Sequence, residues 1–347
     1  MKPKLDMRSD TVTWPTRAMR DAMAAAEVGD DVYGDDPTTL ELERQAARLL
    51  GKETALFACS GTMGKQRALM AMVGRGEEVI LSDQSHIVIH EAGAAAWLSG
   101  AQLRCLPDNP DGQMNLKAME QAIRKHPEDI HSPATALICL ENADSAGRVL
   151  PLSYMQSIKA LADTYQLRVH LDGARLFNAA AALDLDPAAL AACVDTVQIC
   201  LSKGLCAPAG SLLVGPAVII NRARRLRKMI GGGMRQTGVL AAPGLIALNE
   251  MRLRLSQDHA AARWLADRLA ESPQWFELVR PPEINMVFFR LSQYPLDADT
   301  LVQYLADRDV LINPPEDGIF RLVTHYWTKP DDLERLIAML HEAAQAG

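Results

Sequence analysis

Along the first two-thirds of the chain, short apolar runs alternate with longer stretches in which apolar residues recur every three or four positions. Short runs suit buried strands, and the longer periods suit amphipathic helices. Their alternation predicts βαβ units and a largely parallel sheet. The runs place strands at 54–59, 79–82, 102–106, 135–140, 168–172, 196–201 and 210–214. Helices are predicted at 62–73, 116–125 and 153–165, with Ser153 as candidate N-cap of the last. A helical period without internal Gly or Pro covers 244–271, which predicts one long helix between two domains. The division is then 1–243, an N-terminal segment with a large domain, and 244–347, the linking helix with a small C-terminal domain. In the small domain, 285–291 and 319–324 read as strands and 298–307 and 330–345 as helices. The Pro-Pro pairs at 281–282 and 314–315 mark loops.

Two strand ends carry ionisable groups. Leu167-Arg-Val-His-Leu-Asp172 ends in a carboxylate, and Val197-Gln-Ile-Cys-Leu-Ser-Lys203 ends in an amine. In an open α/β sheet ligands bind at the carboxyl ends of strands, so Asp172 and Lys203 are expected to face one crevice. A pyridoxal 5′-phosphate (PLP) site requires this pair: a lysine for the Schiff base, and a carboxylate that keeps the pyridine nitrogen protonated so that the ring accepts electrons. Taken singly, a lysine after a strand is commonly a solvated loop residue, and a strand-end aspartate commonly caps a helix. A phosphate cradle needs small and hydroxyl residues at a helix start, where free N–H groups and the helix dipole attract an anion. Cys59-Ser60-Gly61-Thr62-Met63-Gly64 fills that position. His86, just after the strand at 79–82, is placed to stack on a ring bound at the sheet edge.

Charge narrows the picture further. The net charge is −7 and the basic residues are scattered, which argues against a nucleic-acid footprint. The run Arg222-Ala-Arg-Arg-Leu-Arg-Lys228 is an exception, read either as a solvated helix face or as a contact for phosphate. The N-terminal residues are charged and hydroxylated rather than apolar, so no secretory leader is expected. No stretch approaches the roughly 18 apolar residues of a membrane helix. The six cysteines form no C-x-x-C pair and read as reduced core thiols of a cytoplasmic protein, with no metal site expected.

Several motifs together resemble the low-specificity L-threonine aldolases, PLP-dependent lyases that release glycine and an aldehyde from β-hydroxy-α-amino acids. The resemblance spans nearly the whole chain: Asp6-Met-Arg-Ser-Asp-Thr-Val-Thr13, Val28-Gly-Asp-Asp-Val-Tyr-Gly34, Ser60-Gly-Thr-Met63, Leu171-Asp-Gly-Ala-Arg-Leu-Phe-Asn178, Leu201-Ser-Lys-Gly-Leu205, Gly231-Gly-Gly-Met-Arg-Gln236 and Arg321-Leu-Val-Thr-His325. It implies the aspartate-aminotransferase type of fold (fold type I). Lys203 is then the Schiff-base lysine, Asp172 the partner of the pyridine nitrogen and His86 the stacking residue. Gly61 and Thr62 are implied to hold the phosphate, helped by Lys228 and Arg235 from a neighbouring subunit. Ser9, Arg175 and Arg321 are implied to bind the substrate carboxylate, with Arg175 also near the cofactor's phenolic oxygen. His86 and His131 become candidates for taking the hydroxyl proton, and Tyr33 a further contact. A homo-oligomer, dimer or tetramer, is implied as well.

The chain also departs from that family. Glu141-Asn-Ala-Asp-Ser145 stands where the family reads E-N-T-H-N, Lys65 replaces an asparagine, Ile87-Val-Ile-His90 replaces a tyrosine-bearing segment, and Cys206 ends the S-K-G-L stretch. Lys65 and Asp144 change local charge and are expected to influence neighbouring groups. Two alternatives therefore stand beside the aldolase reading: a related PLP lyase for another β-substituted amino acid, and a PLP-binding protein without catalysis. Ser9, Thr11 and Thr13 were further candidates for a cation contact near the Lys203 loop.

Overall fold

A computed structural model describes residues 5–126 and 128–346. The first four residues, on which the reading of the N-terminus partly rests, lie outside the described residues, as do Pro127 and Gly347.

In chain order the strands are β1 (Leu5–Asp6), β2 (Thr54–Ala58), β3 (Glu78–Ser82), β4 (Gln102–Leu106), β5 (Thr135–Glu141), β6 (Arg168–Gly173), β7 (Thr196–Cys200), β8 (Ser211–Gly215), β9 (Phe276–Leu278), β10 (Met286–Leu291), β11 (Val310–Leu311) and β12 (Phe320–Val323). Seven form one sheet in the order β2-β8-β7-β6-β5-β3-β4. All its pairings are parallel except those of β8, which runs antiparallel to β2 and β7. Central strands such as β7 and β8 are buried at every position, because helices cover both faces. Register sets Asp172 beside Glu141 on one side and Gln198 on the other, at the carboxyl edge of the sheet.

The helix Leu152–Thr164 begins after Pro151, not at Ser153; proline's fixed φ suits the entry to a helix, and Ser153 lies in the first turn with its carbonyl accepting from the Ser157 hydroxyl. The segment expected as one long helix is two, Gly238–Asn249 and Leu255–Ala270, joined through Glu250 and a 3₁₀ turn at Met251–Arg254. Buried Met251 and Leu255 anchor the bend, and Arg254 forks onto Asp258 at 2.6 and 3.0 Å.

β9, β10 and β12 form a small antiparallel sheet with its own apolar core, which includes Phe276, Phe289, Phe320 and Leu336. The N-terminal strand joins this body. β1 pairs with β11, and Leu5 and Met7 pack into the second core. His325 donates from Nε2 to the Asp6 carbonyl at 2.7 Å, and Trp14 stacks on Trp327 with 4.5 Å between centroids. Residues 5–14 thus cross from the small core to the edge of the large sheet.

Candidate active site

The crevice is built where β3, β5, β6 and β7 end. Four of its features follow from local sequence.

The helix Gly61–Met72 starts against β7. A Cβ on Gly61 would stand 2.7 Å from Cys200 Sγ, and one on Gly64 2.7 Å from Gln198 Cγ, so glycine is what allows this approach. Ser60 caps the helix by accepting from Met63 N at 3.2 Å. The remaining N–H groups of the first turn are those an α-helix leaves without internal acceptors, and they suit an anion.

The peptide carrying Lys203 follows β7. Thr13 Oγ1 donates to the Lys203 carbonyl at 2.7 Å, which ties the N-terminal segment directly to this loop. The Lys203 amine has no hydrogen-bond or ion-pair partner among the described residues. Partly buried and uncommitted, it is available for covalent chemistry.

Asp172 ends β6 and is buried. Its Oδ1 accepts from Ala174 N at 3.1 Å, and its Oδ2 lies 2.6 Å from Lys65 Nζ. Burial alone would raise this carboxyl, but the ammonium groups of Lys65 and Lys203 outweigh it and hold it down at about 2. Lys65 is also 2.6 Å from Glu91 Oε1 and 3.0 Å from His86 Nδ1, and Glu91 Oε1 lies 2.9 Å from the same His86 nitrogen. These four groups form one contiguous polar cluster, with the His86 ring half-exposed toward the crevice. Glu141 accepts the His86 N–H at 2.9 Å, and burial together with neighbouring Asp172 pushes its carboxyl up to about 7.

Arg321 projects from β12 of the small sheet. Its Nη1 lies 3.5 Å from the Ser145 carbonyl, and among the described residues no carboxylate is within ion-pair distance of it. Burial, followed by the like charge of Arg175, lowers its pKa. A half-buried guanidinium without a counter-charge is a ready site for a carboxylate ligand.

Other expected residues are differently placed. Arg175 is already clasped: its Nε and Nη2 donate to Asp10 at 2.8 and 2.7 Å, both groups being buried. Asp10 is held down at about 2, burial being outweighed by Arg175. Ser9 caps the short 3₁₀ turn Asp10–Val12 and accepts from Thr11 N and Oγ1. Tyr33 is 83% exposed on its loop. Lys228 and Arg235 are exposed near that loop, Arg235 pairing with Asp30 at 3.1 Å. In the basic run, Arg224 and Arg227 turn inward to Glu43 and Asp31 while Arg222, Arg225 and Lys228 face solvent, as a helix with one packed face requires. His131 is exposed four residues before β5 begins, at the edge of the sheet opposite the crevice. Asp144 does not present a free carboxylate: it binds Arg148 at 2.6 Å, and Arg148 also reaches Asp108 at 3.2 Å. Among the cysteines, Cys105 is exposed rather than in the core.

Asp10, Glu91 and Glu141 were not singled out from sequence. Glu91, five residues after His86, had the clearest signal, an acid beside a candidate histidine in His86-Ile-Val-Ile-His-Glu91.

The residues fit the expected cofactor: a partnerless lysine, an ionised buried carboxylate at the end of the adjacent strand, and an anion-seeking helix start converge on one crevice. Comparison with known proteins points the same way. The family model for beta-eliminating lyases matches residues 6–293. A probable low-specificity L-threonine aldolase of Arabidopsis thaliana is 44% identical over 338 residues, covering 96% of this chain and 95% of that protein. Among solved structures, a Leishmania major threonine aldolase superposes with a TM-score of 0.82 at 23% identity, covering 98% of this chain and 99% of that one. A Sphingomonas wittichii serine palmitoyltransferase superposes with a TM-score of 0.77 at 17% identity, covering 98% of this chain and 87% of that one. These likenesses establish the fold as the fold type I architecture of PLP-dependent enzymes.

Proposed function

The chain belongs to the beta-eliminating lyase family, and from that premise we propose that it is a PLP-dependent aldolase cleaving L-threonine, L-allo-threonine or related L-β-hydroxy-α-amino acids to glycine and an aldehyde. The observation that carries this reading is the meeting of partnerless Lys203, ionised Asp172 and unpaired Arg321 at one crevice. Near-full-length relatives named threonine aldolase support it.

PLP bound here supplies a ring that accepts the electrons left when the Cα–Cβ bond breaks. Lys203 provides the amine that carries it. Asp172, ionised across the neutral range, accepts a hydrogen bond from the protonated ring nitrogen. Gly61 and Thr62 offer backbone N–H groups to the phosphate. Arg321 meets the substrate carboxylate with a two-pronged, charge-assisted contact, with Ser9 beside it. Arg175 spends two of its five N–H groups on Asp10 and keeps three for the cofactor's phenolic oxygen or the substrate. By holding the carboxylate, Arg321 would fix the orientation of the substrate about Cα and so select the bond that breaks. His86 takes the β-hydroxyl proton, directly or through water.

Lys228, Arg235, Tyr33 and His131 all stand exposed, and we assign them to the site of a neighbouring protomer in a homodimer or a tetramer of twofold symmetry. No described helix is long and apolar enough to cross a membrane, and we place the enzyme in the cytoplasm. The contact of Lys65 with Asp172 favours a second reading, a lyase of the same type specialised for another β-substituent.

The test is to supply PLP-loaded protein with L-threonine, L-allo-threonine, L-phenylserine and L-serine and to follow glycine and aldehyde. Release from L-threonine or L-allo-threonine, abolished in Lys203→Ala, supports the aldolase. Release from L-phenylserine alone supports the second reading, and no release from any of them refutes the threonine-aldolase reading.

A further inference from the structure

Lys65 places a permanent charge where the cofactor's ring nitrogen is expected to find only a carboxylate. It projects from the second turn of the helix Gly61–Met72 and is 2% exposed. The ammonium donates to two carboxylates, Asp172 Oδ2 at 2.6 Å and Glu91 Oε1 at 2.6 Å, and lies 3.0 Å from His86 Nδ1, whose own hydrogen goes to Glu91 Oε1 at 2.9 Å. The geometry is held from behind. Gln66 Nε2 donates to the other oxygen of Glu91 at 2.7 Å, and Asp172 Oδ1 is engaged by Ala174 N. Both oxygens of Asp172 therefore have a donor before any ligand arrives.

We propose that Lys65 is a positioning residue that shares Asp172 with the cofactor's ring nitrogen, making that nitrogen a weaker base and tempering the ring as an electron acceptor. The inference rests on the cofactor reading above. The charged or titratable groups facing Asp172 are Lys65 from the helix, His86 and Glu91 from the segment after β3, Cys139 and Glu141 on β5, His170 on β6 and Lys203 after β7. Burial pushes the Cys139 thiol up and the His170 imidazole down to about 4, so both stay neutral near pH 7. Lys65 is the group in direct contact with the carboxylate, and its charge persists: burial opposes it, but Asp172 and Glu91 raise its pKa above the ordinary lysine value. A cation in direct contact with the carboxylate that would hold the ring nitrogen lowers that nitrogen's proton affinity, by about tenfold or more at the effective dielectric of a protein site.

The same charge network gives Lys65 a second consequence within one mechanism. By holding Glu91 Oε1 at 2.6 Å, where that oxygen accepts from His86 Nδ1 at 2.9 Å, it fixes the ring's rotation, so that Nε2 is the nitrogen left for the substrate.

The experiment uses holoenzyme reconstituted with PLP carrying ¹⁵N in the ring. The ring-nitrogen chemical shift is followed from pH 6 to 10 in the wild type, Lys65→Met and Lys65→Arg, with cofactor absorbance confirming equal loading. The expected result is a wild-type nitrogen that loses its proton inside this range, at a midpoint at least one pH unit below that of Lys65→Met, with Lys65→Arg following the wild type. A wild-type nitrogen protonated up to pH 10, or the same midpoint in Lys65→Met, overturns the proposal. If Lys65→Met does not fold, the wild-type titration decides alone. Protein that takes up no PLP refutes the cofactor reading and this inference with it, whereas loaded protein with a fully protonated ring nitrogen refutes only the inference.

Discussion

Replacing Asp10 by asparagine isolates the contact that fastens the N-terminal segment to the large sheet. Asp10 and Arg175 are both buried and meet through two hydrogen bonds of 2.7 and 2.8 Å. The carboxyl lies at about 2, against 3.8 for an ordinary aspartate, because Arg175 outweighs the burial that would raise it. That difference corresponds to roughly 2–3 kcal/mol of stability at neutral pH. Since the folded pKa is the lower one, the contribution is complete above about pH 4 and is lost as pH falls through 2. The substitution also leaves the Arg175 charge buried without its counter-ion, for which the cost is about 3–5 kcal/mol. Removing both charges in Asp10→Asn/Arg175→Met should cost less than the single change, because nothing charged is then stranded. Urea denaturation of the purified proteins at pH 7 and equal concentration, followed by circular dichroism, gives the comparison. A loss below about 1 kcal/mol in Asp10→Asn, or a double variant no more stable than the single one, would refute the pairing as the source of this stability.

Other expectations follow from single contacts. Arg321→Gln removes the guanidinium without a carboxylate partner that is assigned to the substrate, and kcat/KM for L-threonine should fall by about 2–4 kcal/mol, or some thirtyfold to a thousandfold, in steady-state assays. Thr13→Val deletes the hydrogen bond to the Lys203 carbonyl and should cost about 1 kcal/mol in urea unfolding while weakening PLP retention in dialysis. Glu141 has its folded pKa raised to about 7, so its contribution is present below pH 4.5 and lost as pH rises through 7. Glu141→Gln should therefore gain stability relative to the wild type between pH 6 and 8, and thermal melts across that range would show it. Asp144→Asn breaks the pairing with Arg148 and should lower the melting temperature by a few degrees while changing kcat/KM less than threefold, because that carboxylate is already neutralised.

Much of the frame could be read from the chain because buried strands are short apolar runs with sharp ends. The runs around Arg168–Gly173 and Thr196–Cys200 located both Asp172 and Lys203, and the S-G-T-M-G stretch located the helix start. Direction was less legible: nothing in the run at 211–215 states that β8 turns antiparallel. The break at Glu250 was hidden because both halves of that segment are helical, and apolar period does not distinguish the short 3₁₀ turn Met251–Arg254 from a continuing α-helix. The partners of Arg175 and Lys65 lie 165 and 107 residues away along the chain, and no local pattern encodes such pairs. Lys65 drew notice as a departure, but its meaning depended on Asp172, Glu91 and His86 converging in space. The pairing of Asp144 with Arg148 was within reach of sequence, since the two are four residues apart. Residues such as His131 and Tyr33 stand exposed in a single protomer, and their assigned roles need a second copy.

Two lysines reach the crevice, and the account gives them opposite roles: Lys203 has an uncommitted amine, whereas Lys65 is locked as an ammonium between two carboxylates. Reduction of the PLP-loaded protein with borohydride, followed by proteolysis and mass spectrometry, tests this directly. The account predicts a pyridoxyl group on Lys203 and none on Lys65. A label on Lys65, or bound PLP that leaves no label on Lys203, would contradict it.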